Sequence, residues 1–184
     1  MKQNKNPSWA VALCGMAVAF SVVLMLLGTI LPVAMFIAPA LGGILIAVVQ
    51  AECGARPAWT AYAAASVLGV LLVPDKETAL FFVALLGYYP LVKPWFDRLR
   101  PAVLRVGAKL LLCNGAVAVL YGVLLLLFPV AESEALETAA LVLGAVTLLI
   151  GNVAFLLLDR ALANLMRVYK LLWQPRLHRM LGRR

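Results

Sequence analysis

The sequence predicts an all-α polytopic membrane protein: a bundle of six transmembrane helices with both termini cytoplasmic and a basic amphipathic helix at the C-terminus. Three observations carry this. First, 65% of the 184 residues are hydrophobic and 13% are charged, whereas a soluble domain is roughly 45–50% apolar and about 25% charged. A chain this size has too little interior to hide that much apolar material from water, and disordered chains are poor in such residues. Second, the apolar residues fall into long runs without charge. Third, the basic residues gather between alternate runs.

A membrane-crossing helix needs about 20 apolar residues at about 1.5 Å each. The first run, Ser8–Leu31, has no charge. Lys2 and Lys5 precede it as in a signal peptide, but the run is too long for one and further spans follow, so it reads as a transmembrane helix. Pro32 ends it, and Val33–Ala51 is the second span. Glu52, Gly54, Arg56 and Pro57 form the next connection. Ala58–Val73 is the third span, closed by Pro74-Asp75-Lys76-Glu77. The fourth, Thr78–Val92, is short, with Lys76 and Lys93 placed to snorkel at its ends. If it fails to cross, five spans remain. A basic stretch, Lys93–Lys109, is broken by Pro94 and Pro101. Leu110–Val130 is the fifth span. Glu132, Glu134 and Glu137 precede the sixth, Thr138–Leu158.

Charge tests the count independently. With six spans, 15 basic residues lie on one side and only Lys76 on the other. Basic loops stay in the cytoplasm, which puts both termini there. The net charge of +8 therefore needs no nucleic-acid partner, since topology and anionic headgroups account for it. Residues 1–158 form the transmembrane domain and 159–184 a basic cytoplasmic tail. In that tail Leu162, Leu165, Met166, Tyr169, Leu172 and Trp173 recur at helical spacing among Arg167, Lys170 and Arg176. Such a helix lies on the inner membrane surface or docks on a partner.

Several chemistries drop out. Cys14, Cys53 and Cys113 are far apart in sequence, without a disulfide or zinc pattern. The single histidine, His178, is in the tail, so histidine-dependent proteases and haem ligation are not expected. No charged residue is expected well inside a span, which argues against proton pumping and voltage sensing. Lys93–Pro101 (K-P-W-F-D-R-L-R-P) matches the K-x6-R-P phosphate-binding stretch of the membrane phosphatidic acid phosphatase family. Both histidine motifs of that family are missing, so no enzyme, metal or cofactor is expected.

Small residues let helices approach in lipid. The first span has Ser8-x3-Ala12 and Gly15-x3-Ala19, the second Ala34, Ala38 and Gly42 beside Pro39 and Gly43, and the third Ala61, Ala65 and Gly69. Internal packing explains most of these, and any excess is a surface for another subunit. Asn114 and Asn152 sit at similar depth in spans five and six, suited to an interhelical hydrogen-bond clamp or to a substrate.

Ala12–Leu24 (A-L-C-G-M-A-V-A-F-S-V-V-L) and Met35–Val49 (M-F-I-A-P-A-L-G-G-I-L-I-A-V-V), with the small six-span architecture, resemble the membrane substrate-binding S-component of energy-coupling factor (ECF) transporters. The resemblance implies a vitamin-like ligand bound from the outer side. It also implies docking through the first helices onto a transmembrane coupling subunit driven by two ATPase subunits, in a bacterial cell membrane. Transferred onto this chain, Ser8, Ala12, Gly15 and Ala19 become docking positions. Asp75, Glu77, Phe81, Phe82 and Tyr121 become pocket residues. An acidic rim over an aromatic wall suits a cationic or neutral aromatic ligand, although Asp75 and Glu77 read equally well as charges at a helix N-terminus. No vitamin-specific signature is present. The alternative is a non-transporting scaffold or assembly protein that holds a partner with its basic tail.

Overall fold

A computed structural model describes residues 7–30, 34–127 and 137–175. All the regular structure there is helical: α1 (Pro7–Gly28), α2 (Ala34–Cys53), α3 (Ala55–Leu72), α4 (Lys76–Phe81), a π-helical turn (Phe82–Leu86), α5 (Tyr89–Phe96), α6 (Ala102–Leu127), α7 (Glu137–Val168) and a second π-helical turn (Tyr169–Trp173). Five helical stretches are long and apolar enough to cross a membrane: Ser8–Gly28, Phe36–Cys53, Lys76–Phe96, Ala102–Val123 and Val146–Trp173. The described chain is all-helical, and these long apolar helices fit a membrane location. The 18 residues of α3 reach about 27 Å, close to a bilayer core. Its first turns, however, hold Arg56, Pro57, Trp59, Thr60 and Tyr62, which dilute its apolar character.

The chain divides into two units, Met1–Val130 and Ala131–Arg184. In the first, α1, α2 and α3 pack against one another and against the α4–α5 stretch. Met25, Ile46, Val49, Ala58, Ala65 and Phe82 form the centre of its core. The small-residue rows of α2 and α3 face into it: Ala38, Ala61 and Ala65 are buried, and a Cβ on Gly69 would meet Met25 at 3.0 Å. A Cβ on Gly42 would lie 3.1 Å from Phe82 and 3.4 Å from Ser21 Cβ. Beside it the Ser21 hydroxyl donates to Ala17 O (2.7 Å) and approaches Gly42 O (3.3 Å). This ties α1 to α2.

The fourth span corrects the sequence reading. Instead of stopping at Val92, the helical path runs over Lys76–Phe96, 21 residues, because Asp97 caps its end (Asp97 N–H to Lys93 O, 3.0 Å). Within this path the Gly87 N–H bonds to Phe82 O (2.7 Å) rather than to Val83 O one residue later. The Tyr62 hydroxyl of α3 donates to Val83 O instead (2.8 Å), so no buried acceptor is abandoned. Gln50 of α2 donates to Leu91 O (3.1 Å). These two side chains tie the irregular span to its neighbours.

Two further expectations change. Helix α6 starts at Ala102, not Leu110, and so holds Lys109, which is 3% exposed; Glu52, near the end of α2, is 2% exposed. Charged residues therefore do enter the helical body at its ends. In the second unit, α7 runs through 158–159 without a break, because no glycine or proline lies between Asn152 and Gln174. Its 32 residues extend about 48 Å, well beyond an approximately 30 Å hydrocarbon core.

Candidate functional site

Three groups of residues bear on function. The first is the head of α4. Asp75 accepts the Glu77 N–H (3.1 Å) and the Thr78 hydroxyl, capping the helix. Lys76 Nζ donates to Val70 O (2.9 Å) and Val73 O (3.1 Å), covering the last carbonyls of α3. Glu77 is exposed. Phe81 meets Phe36 of α2 edge to face, with ring centroids 5.0 Å apart. The chain thus brings Asp75, Glu77 and Phe81 together on one short helix. Phe82 is not with them: it is fully buried against Tyr62 and Gly42. Tyr121 is 49% exposed on α6, with no hydrogen bond or ring contact among the described residues.

The second group is the outer face of α1. Ser8, Ala12, Gly15 and Ala19 are all exposed, while Ala17, Val18 and Val22 on the opposite face are buried. A Cβ added to Gly15 would meet nothing within 4 Å. The contrast with the inward rows of α2 and α3 is direct, since this row is exposed among the described residues.

The third group joins the end of α5 to the start of α6. Lys109 Nζ lies 2.6 Å from Asp97 Oδ1, and Lys93 Nζ 3.9 Å from Asp97 Oδ2. Beside this cluster Val92, Trp95, Phe96, Leu99 and Leu112 line an apolar groove of about 320 Å³. The Lys93–Asp97 spacing is one helical turn and was readable in sequence. Lys109, in the next helix, carried no such signal, and neither did the groove.

No protein-family profile, no characterised relative and no solved structure matches this chain. Function therefore rests on the residues themselves. Asn114 is exposed on α6, and Asn152 on α7 has a buried Oδ1 without a hydrogen-bond partner among the described residues; the two belong to different units. Cys14 and Cys53 are free thiols, and the Cys14 thiol donates to Pro57 O (3.7 Å). Among the described residues no three of His, Cys, Asp and Glu gather as a metal site would require.

Proposed function

We propose that this chain is the membrane-embedded substrate-binding component of an ECF-type micronutrient importer. It docks through α1 on a transmembrane coupling subunit served by two ATPase subunits, and both its termini are cytoplasmic. The observation that carries this reading is the outward row Ser8, Ala12, Gly15 and Ala19, with open space over Gly15. In lipid, a row of small residues favours close approach of another helix, and this one is exposed among the described residues. The ligand, a small vitamin-like molecule that is cationic or a neutral aromatic, enters from the side holding Asp75, Glu77 and the Phe36–Phe81 pair. The chain performs no chemistry of its own.

A photo-crosslinking residue at Gly15 tests the docking face in cells carrying cognate coupling and ATPase subunits. It should form an adduct with a membrane protein, while the same probe at the exposed Leu111 of α6 should not. Lipid adducts alone at both positions would remove the docking claim. A second reading, a scaffold without transport, is favoured by α7 itself. It continues past bilayer thickness into Arg167, Lys170 and the exposed Leu171, Leu172 and Trp173. Purification with a partner protein but without ATPase or small molecule would select that reading.

A further inference from the structure

We propose that the groove between α5 and α6 is a binding site for an anionic phospholipid, with one acyl chain against Val92, Trp95, Phe96, Leu99 and Leu112 and the phosphate on Arg98, Arg100 and Arg105. The site is independent of the transport reading. Its charge comes first. Residues 93–112 carry five basic side chains (Lys93, Arg98, Arg100, Arg105, Lys109) and one acidic one (Asp97), so the excess is 5 − 1 = +4. Asp97 is engaged by Lys109 and Lys93. Arg98, Arg100 and Arg105 have no ion-pair partner among the described residues. Arg98 and Arg100 are exposed, and Arg105 is partly so. Guanidinium groups match phosphate oxygens by forked hydrogen bonds.

Depth supplies the second argument. The apolar fourth span ends at Phe96. Val92, Trp95 and Phe96 fall within it, whereas Arg98 and Arg100 follow its end on the exposed turn into α6. Apolar wall and cationic rim are thus stacked along the bilayer normal in the order that a phospholipid presents its chain and its phosphate. Trp95, 76% exposed, is a wall residue close to the end of the span, as suits an indole at a membrane interface. A soluble anion would leave the apolar groove unused. A zwitterionic lipid brings its own ammonium and repels the uncompensated charge.

Native mass spectrometry of the full chain, in detergent with equal amounts of dioleoyl phosphatidylglycerol and dioleoyl phosphatidylcholine, tests the site. Phosphatidylglycerol adducts should predominate, and R98Q/R100Q should reduce them about thirtyfold while leaving phosphatidylcholine adducts unchanged. Leu112→Trp, which fills the groove, should also reduce them. Equal adducts of the two lipids, an unaffected arginine variant or full binding by a folded Leu112→Trp would each overturn the proposal. So would displacement of the lipid by equimolar glycerol 3-phosphate, which carries the phosphate without the chain. The arginines are surface residues, so their variant should retain the wild-type melting temperature.

Discussion

Replacement of Gly43 by alanine should destabilise the protein by about 3 kcal/mol, the upper part of the range for overpacked interiors. The added methyl would sit 2.1 Å from the Leu86 carbonyl oxygen and 3.1 Å from its carbon. Those atoms are backbone at the end of the π-helical turn, so no side-chain rotation relieves the clash. Either α2 withdraws from the fourth span or the turn rewinds. Rewinding would return the Gly87 N–H to Val83 O and compete with the Tyr62 hydroxyl for that acceptor. The matched control is Gly15→Ala. With nothing within 4 Å of its added methyl, it should be neutral or stabilising by up to ~1 kcal/mol, the helix-propensity gain of alanine over glycine. Thermal unfolding in detergent, followed by helical circular dichroism, separates the two. Equal losses would mean that α2 and the π-helical turn do not meet at Gly43.

Neutralising Asp97 should have the next largest effect. The Lys109 side chain is 4% exposed and its Nζ lies 2.6 Å from Asp97 Oδ1, with Asp97 itself 44% exposed. Removing one partner from a fully buried pair costs about 3–5 kcal/mol. Water screens the exposed carboxylate, so Asp97→Asn should cost less, about 1–2 kcal/mol. Lys109→Met removes the buried charge and leaves a carboxylate that water can hydrate, so it should cost less than Asp97→Asn. The double variant should recover most of the loss, because no buried ammonium then lacks its carboxylate. The same melting assay reads this cycle. Strict additivity of the two single losses would show that the pair does not couple α5 to α6.

What the sequence could reveal follows from the range of each interaction. Charge-free runs marked α1 and α2 to within a few residues and located the apolar bodies of α6 and α7, because lipid solvation depends on local composition. The fourth span was underestimated because Lys93 and Pro94 look like an ending. Helix continues to Phe96, where Asp97 provides the cap. For α6 the error has the opposite origin: Lys109 looks too polar for a helix body, yet its partner Asp97 is supplied by another helix. The π-helical turn is a one-residue shift in hydrogen bonding and leaves no mark on hydropathy. Among the proposed pocket residues, Phe81 and Phe82 are adjacent in sequence but differ in role. One faces Phe36 at the end of α4 and the other fills the core. The small-residue rows of the first three helices look alike in sequence, and only packing distinguishes the outward row of α1 from the inward rows of α2 and α3.

The proposed importer subunit depends on six crossings, with every basic cluster on the cytoplasmic face, and α3 decides between six and five. Single cysteines at Arg56, Asp75, Arg98 and Glu134, introduced after replacement of Cys14, Cys53 and Cys113, can be labelled in intact cells with a membrane-impermeant maleimide. Six crossings predict labelling at positions 75 and 134 and protection at 56 and 98. Identical labelling at 56 and 75 would mean that α3 does not cross, and would contradict both the topology and the docking arrangement built on it.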